Sequence, residues 1–431
     1  MSKDRYKSGM TGKVLKCELL NLIKNWMVLT GRFINFVPHK ILIYSNLLTR
    51  QPEVKIINFQ LLTISDRMLL GLSLLVFFVQ IYYLFAYYLR LARYKDSPTN
   101  PNSNQVTIII PVRNEEERIR EILSKFNEQQ FEAYQILVIN EYSEDSTLEI
   151  LNVISETNPK LKFTSLSQET LFSEKQAINI GLKGASSPWI VLLNSFSGAV
   201  NPEWLLKLTS FIDTETDLVI AYTNVERTKG FRNLVCRLER FNQFMISGAW
   251  TLAGKPFVFS ENNVLFKKSL YFDTLGFRHK LNLNFANLEL IFNENIKKGR
   301  VKLTTNPDLA IREHIEDDRG DHIKLLKKGV QIRQCLSWSK KISLSLDDVT
   351  KILLPVLSVA LIIIHPEYWM ILLMFPVITF LLLAVITKIL LNRLNERKIY
   401  LSSLVYFWVK PIINWWFFWS MYLIHRRSRW N

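Results

Sequence analysis

Cysteine is scarce in this 431-residue chain: Cys17, Cys236 and Cys335 are far apart and odd in number. That excludes a disulfide framework or a zinc knuckle and suits a reducing compartment. No Gly-rich phosphate loop, no His-Glu-x-x-His motif and no Ser-His-Asp order is present. Cys236 lies in a helical run, Arg237-Leu-Glu-Arg240, with no partnered His, so a thiol nucleophile is not expected. The first 67 residues lack a signal-peptide layout, because their apolar pieces are short and broken by Lys24, Arg32 and Lys40. What the chain does have is 48% hydrophobic and 21% charged residues, which excludes disorder, and a length suited to two or three units.

The net charge of +16 is unevenly placed. Residues 1–67 carry 11 basic and 4 acidic side chains, residues 388–431 carry 8 basic and one acidic (Glu396), and the stretch between is almost balanced. A nucleic-acid binder concentrates such charge on a folded domain. Here it flanks apolar segments, as Lys and Arg do on the cytoplasmic side of a membrane. No nucleic-acid partner is expected.

Met68–Leu89 is an uncharged run followed at once by Arg90, Arg93 and Lys95. As a helix it is about 33 Å long, matching a hydrocarbon core of about 30 Å. A transmembrane helix over 68–90 is therefore expected, its C-terminal end cytoplasmic. Residues 1–67 are expected either to precede a native start at Met68 or to form a basic arm on the membrane surface. Ile352–Ile364 and Trp369–Thr387, separated by His365-Pro366-Glu367, predict a transmembrane hairpin over 350–388, with Lys351 snorkelling. Residues 400–424 hold Trp408, Trp415, Trp416 and Trp419 around Lys410-Pro411 and end on His425-Arg426-Arg427. A simple span would put that basic end outside, so an interfacial or dipping aromatic helix pair is expected.

The middle of the chain, residues 105–345, predicts an α/β domain. Val106–Ile110, Gln135–Ile139, Lys162–Ser165 and Trp189–Leu193 read as strands. Helical patterns over Glu116–Phe126, Leu148–Thr157 and Glu174–Lys183 alternate with them. That alternation means a mostly parallel sheet with helices on both faces, and ligands at the carboxyl ends of the strands. Polar clusters stand there: Pro111-Val-Arg113-Asn-Glu115, Asn140-Glu141-Tyr-Ser-Glu-Asp145-Ser-Thr147 and Asn194-Ser-Phe-Ser-Gly198. Taken alone, these residues are also ordinary turn chemistry, with Asp and Ser closing turns and Asn capping helices.

The order of these motifs resembles the family 2 glycosyltransferases, with a GT-A-like nucleotide-binding domain. The likeness runs through a Lys175-x-x-x-Asn179 helix, Pro202-x-Trp204-Leu205, Glu261-Asn-Asn263 before Gly276-Phe277, and Gln331-Ile-Arg333 ahead of the hairpin. It covers about residues 68–424. The resemblance implies nucleotide contacts by Pro111, Arg113, Glu115, Glu141, Asp145, Lys175 and Asn194, and acceptor-side roles for Asn263, Gln331 and Arg333. It also implies a nucleotide-sugar donor and a lipid-linked or polysaccharide acceptor. With the predicted spans, the chain is expected to be an integral protein of a bacterial-type inner membrane, touching membrane lipid, with its main domain cytoplasmic, and the resemblance implies cell-envelope glycans as its field of work.

The chain departs from that family where the chemistry is done. The family carries Asp-x-Asp, which holds ribose and a divalent metal, where this sequence reads Asn194-Ser195-Phe196. Phenylalanine cannot ligate a cation that wants hard oxygen donors. No metal ligands are assigned and no cofactor is expected. The family's general base lies in an acidic pair that falls here on Ala286-Asn287 or Asn287-Leu288. Glu289 is the nearest candidate, one or two residues on and so about 100° per residue around the helix. General-base catalysis contributes about 10²–10⁴-fold, so the expectation is either an atypical metal-free transferase, with Glu289 or the His314 region as base, or a non-catalytic scaffold or regulator of a partner transferase. The cluster Glu313-His314-Ile-Glu316-Asp317-Asp318-Arg-Gly-Asp321-His322 is expected to be a solvated acidic surface. Phe244–Phe259 fits an acceptor groove and a packed amphipathic helix equally well.

Overall fold

The computed structural model describes residues 63–99, 104–195, 197, 201–314, 320–396 and 398–427. The expectations for residues 1–62, Phe196 and 315–319 lie outside these. The first helix, α1 (Ile64–Tyr83), continues through a π-helical turn Leu84–Tyr88 to Arg93. It starts one turn before Met68, because Thr63 and Asp66 form a reciprocal capping box.

Among the described residues nine strands follow: β1 (Val106–Val112), β2 (Tyr134–Asn140), β3 (Leu161–Ser165), β4 (Trp189–Leu192), β5 (Leu218–Ile220), β6 (Thr223–Val225), β7 (Val264–Lys267), β8 (Val301–Leu303) and β9 (Ile311–Glu313). Seven form one sheet in the order β3-β2-β1-β4-β7-β5-β8, and β6 pairs with β9. The sheet is parallel except at β7, which runs antiparallel to β4 and β5. Between the first strands run α2 (Ile119–Ser124), α3 (Thr147–Thr157) and α4 (Ser173–Gly184), as the sequence predicts. Then come α5 (Trp204–Thr209), α6 (Phe231–Leu252), α7 (Ser269–Phe272), α8 (Leu288–Asn295) and α9 (Asp321–Cys335).

The period of two along each strand explains why the β-branched runs lack polar residues. Ile108 and Ile110 of β1, Ile136 and Val138 of β2 and Val191 of β4 enter one buried cluster. Ile109, Leu137, Ile139, Ile190 and Leu192 enter another on the opposite face. Burying each such side chain fully contributes about 1.5–3 kcal/mol. Helix α4 lies close against the sheet at Gly181, where a Cβ would stand 2.7 Å from Ile109 Cγ2.

The second core continues from the sheet into the apolar helices. It includes Trp250 of α6 and Tyr83, Tyr87 and Tyr88 of the first helix, whose rings surround the indole at 4.6–5.8 Å. Phe244–Phe259 is therefore no open groove. Helix α6 is buried along nearly its whole length, which decides that segment for the packed-helix reading.

Three helices close the chain: α10 (Trp338–Ile364), α11 (Trp369–Arg393) and α12 (Tyr400–Arg427), with one 3₁₀ turn, Pro366–Tyr368, between the first two. Among the described residues two helical stretches are long and apolar enough to cross a membrane, Ile64–Arg93 and Pro366–Arg393. Lys351 does not snorkel. It is 2% exposed and pairs with Asp347 at 2.6 Å, while Tyr88 donates to the same carboxylate oxygen at 2.7 Å. The outward face of α10 is left to Ile342, Leu346, Val356, Val359 and Ile363. Residues 400–424 are not a helix pair, for α12 runs unbroken through Pro411. Its first half is held by buried Tyr406 and Lys410, and its second half exposes Trp415, Trp416 and Trp419.

Candidate functional site

The carboxyl ends of β1, β2 and β4 meet in a cleft of about 580 Å³. Pro111 and Arg113 enter it from the end of β1, Glu141 from β2, and Asn194 and Ser195 from β4. The loops behind them are fixed by their own amides. Asn114, at φ 53°, accepts the Glu144 N–H at 2.9 Å, and Ser143 Oγ accepts the Asn114 N–H at 3.0 Å. Asn carries such a left-handed conformation more readily than most residues.

The nucleotide-side candidates divide into wall and brace. Pro111, Arg113, Glu141 and Asn194 line the cleft. Arg113 pairs with Glu169 at 2.7 Å, an exposed bridge. Glu115 is buried, and its carboxylate accepts from Ser195 Oγ at 3.0 Å. Asp145 accepts the Glu116 N–H at 3.1 Å and the Thr147 N–H at 3.0 Å, the turn-closing work open to it from the sequence. Lys175 is buried and donates to the Leu283 carbonyl at 2.7 Å, and desolvation lowers its pKa. Burial, with the nearby Glu174 carboxylate, pushes Glu141 up to about 8. Its carboxyl is mostly protonated at neutral pH and can donate as well as accept.

At the end of β4, the Asn194 backbone N–H donates to Asn262 Oδ1 at 3.1 Å. Its side-chain amide donates to Glu313 Oε1 at 3.2 Å. The same oxygen accepts from Asn262 Nδ2 at 2.6 Å, and Arg240 Nη2 reaches Glu313 Oε2 at 2.7 Å. Glu313 is 2% exposed, so the acidic cluster expected at the surface begins with a buried carboxylate. A divalent cation needs carboxylate oxygens with lone pairs to give. Glu313 is already engaged by a guanidinium and two amides. Among the described residues no three His, Cys, Asp or Glu side chains are grouped to hold an ion. The described residues do not fit a carboxylate-held metal.

On the other side of the cleft stands a second charged group. Lys328 Nζ is 2.6 Å from Glu289 Oε1 and 3.3 Å from Glu261 Oε1. Glu261 also accepts from Asn287 Nδ2 at 3.1 Å and from the Leu288 N–H at 2.7 Å. Burial works against the Lys328 charge, but Glu261, Glu289 and Glu174 hold its pKa above the ordinary lysine value. Burial and then Glu261 push Glu289 up to about 7. Glu289 is fully buried beneath the cleft, accepting the Glu261 and Asn287 N–H groups, whereas Glu174, Glu261 and Lys328 line the wall.

The acceptor-side candidates do not converge on this cleft. Asn263, at φ 59°, donates to the Tyr222 and Leu309 carbonyls and accepts from Trp204 Nε1, all as a buried brace. Gln331 Oε1 accepts the Phe285 and Ala286 N–H groups at 3.0 and 3.1 Å. Arg333 pairs with Asp348 at 2.5 Å and lies over the Phe259 ring. Cys236 is buried, and desolvation pushes its thiol up to about 12, unsuited to nucleophilic work.

Residues 107–272 match the sequence model of glycosyl transferase family 2. The chain carries a glycosyl transferase family 2 domain. A mannosyltransferase from Pyrobaculum calidifontis, solved with GDP-Man and Mn²⁺, superposes on 81% of this chain and 97% of its own at 17% identity, with a TM-score of 0.51. That likeness shows the GT-A-like fold. The Staphylococcus aureus TarS 1–349 structure with UDP-GlcNAc covers 72% and 89% at 14% identity and a TM-score of 0.38. Mannosyl-3-phosphoglycerate synthase from Rubrobacter xylanophilus covers 55% and 76% at 14% identity and 0.39. No curated protein matches the chain in sequence.

Among the charged residues lining this cleft, the sequence assigned no catalytic or binding role to Glu174, Arg240, Glu261, Glu313, Asp321, Lys324 and Lys328. One signal was available. Glu261 opens the Glu261-Asn-Asn263 element itself, and Glu174 stands directly beside Lys175. Arg240 and Lys328 sit in charged helical runs that read equally well as solvated faces.

Proposed function

We propose that this protein binds a nucleotide sugar at the cytoplasmic face of a bacterial-type inner membrane. It takes part there in making lipid-linked or other cell-envelope glycans. The observation that carries this reading is the cleft at the ends of β1, β2 and β4, walled by Glu141 and Asn194. In an open α/β sheet that is where ligands bind. The protonated Glu141 offers a donor and an acceptor to a base or ribose, and Asn194 an amide. Two helices long and apolar enough to cross a membrane support attachment beside a lipid acceptor. GDP-Man and UDP-GlcNAc, bound by solved structures of this fold, are the first donors to try.

Transfer with inversion needs the acceptor oxygen to displace the nucleoside diphosphate while a base takes its proton. Glu261 and Glu174 are the carboxylates on the cleft wall, and Glu289 lies behind them. A second reading, a non-catalytic relative that binds a nucleotide sugar or a partner transferase, is favoured by the engagement of Glu289 and Glu261 with Lys328. Isothermal titration of the detergent-solubilised chain with a panel of UDP- and GDP-sugars tests the common part: at least one binds, and Glu141→Ala weakens it. No binding by any donor would overturn the reading. Release of free nucleotide during incubation separates transferase from scaffold.

A further inference from the structure

Hydrogen-bonding capacity in the cleft is unevenly distributed. Glu313 Oε1 accepts two amides and Oε2 a guanidinium. Glu261 Oε1 accepts Asn287 and Lys328, and its Oε2 takes the Leu288 N–H. Most of their lone pairs are engaged, which leaves little for a cation.

The basic groups, by contrast, keep donors in reserve. A guanidinium carries five N–H groups and an ammonium three. Arg240 has bonds to Glu313 at 2.7 Å and Ser260 at 3.3 Å, and its buried Nε has no partner among the described residues. A buried donor left unsatisfied carries an uncompensated desolvation cost. Lys328 directs two bonds at Glu289 and Glu261. Lys324, one turn earlier on the same face of α9, is two-thirds exposed and meets Asp321 at 3.2 Å. All three line the cleft. They converge because α6 and α9 approach closely at Gly329, where a Cβ would stand 3.1 Å from Glu239 and Gln243, the neighbourhood of Arg240.

We propose that Arg240, Lys324 and Lys328 form the binding seat of a diphosphate group, supplying by side chain the positive charge that a divalent cation would otherwise bring. This rests on the nucleotide-sugar reading above and adds to it the mode of phosphate recognition. A diphosphate brings many acceptor oxygens and no donors, the complement of what these groups have to offer. Charge-assisted bonds from guanidinium and ammonium to phosphate are among the strong ones. Glu313 and Glu261 hold Arg240 and Lys328 in place without saturating them.

The test uses the full-length chain in detergent with EDTA throughout. UDP and GDP are titrated by calorimetry, and inorganic pyrophosphate is added as competitor. The expected result is binding in chelator, displacement by pyrophosphate, and affinity that falls steeply with salt. Lys324→Gln weakens UDP by about threefold, and Arg240→Lys and Lys328→Gln by about tenfold. Thermal unfolding is recorded for each variant. If the buried substitutions unfold the chain, the exposed Lys324→Gln and the pyrophosphate competition decide. Nucleotide binding that ignores pyrophosphate and is unchanged in Lys324→Gln would overturn the seat and leave the nucleotide reading intact. Pyrophosphate binding without any nucleotide binding would support the seat and overturn that reading. Absence of nucleotide binding in EDTA, with binding restored in a parallel titration where Mn²⁺ replaces the chelator, would overturn the seat.

Discussion

Lys410 Nζ stands 2.7 Å from each carboxylate oxygen of Glu239, and Tyr406 donates to the same carboxylate at 2.5 Å. The next residue along α6 is Arg240, which holds Glu313 in the cleft wall. One turn of a buried helix therefore ties the C-terminal aromatic helix to the candidate site. Removing one partner of a buried ion pair costs about 3–5 kcal/mol, because the other charge stays behind uncompensated. Lys410→Met is expected to lower the melting temperature markedly, and Lys410→Met with Glu239→Gln to recover much of the loss. An unchanged melting temperature for Lys410→Met would show that the pair does not bind the two helices together.

A similar tie lies at the turn before α12. The 1%-exposed Glu396 side chain accepts from Tyr222 at 2.9 Å, Asn224 at 2.8 Å and Arg237 at 3.1 Å, and pairs with Arg312. Arg312 is the residue beside Glu313 on β9. Glu396→Ala is expected to destabilise the chain by about 3–5 kcal/mol and to weaken nucleotide binding through the displaced β9. Denaturant unfolding and calorimetry on the same sample check both. Full stability with normal affinity would rule this connection out.

Glu141 gives a pH dependence with a definite sign. Its pKa is raised from the ordinary carboxylate value to about 8, first by burial and then by Glu174. The folded state holds this proton more tightly than the unfolded chain, so its contribution to stability is complete below the unfolded pKa. That contribution is lost as pH rises through about 8. Glu141→Gln, which cannot ionise, is expected to flatten the decline and to be the more stable protein at pH 8.5. Parallel pH–stability curves for the two proteins would contradict the assignment.

Membrane attachment and sidedness can be read with a thiol probe. Cys335 is exposed and Cys236 is buried. With Cys17 replaced by Ser, a membrane-impermeant maleimide is expected to label Cys335 in inside-out vesicles and not in intact cells. The chain should stay in the pellet after an alkaline carbonate wash. Labelling in intact cells would invert the proposed orientation, and release by carbonate would remove the spans.

The strands and loops of the domain's first half were legible because β-branched runs buried on both faces admit few polar residues. The loops between them carry Asn, Asp and Ser for the turns they make. Other features were hidden by tertiary pairing. Helix α10 contains Asp347 and Lys351, which interrupt an apolar pattern in sequence but neutralise each other inside the bundle at 2.6 Å. Helix α6 reads as charged, yet Arg237, Glu239 and Arg240 are all buried against partners from distant parts of the chain. Glu261 and Lys328 are 67 residues apart, and nothing local announces that they meet. Asp145, by contrast, does the turn-closing work that its local sequence allowed.

The most direct measurement is photo-crosslinking of the solubilised protein with an azido-nucleoside diphosphate sugar, followed by peptide mapping. Label is expected on the peptides around Pro111–Asn114, Glu141 and Asn194, chased by unlabelled nucleotide. Chasable label confined to other parts of the chain would contradict the placement of the nucleotide at the ends of β1, β2 and β4.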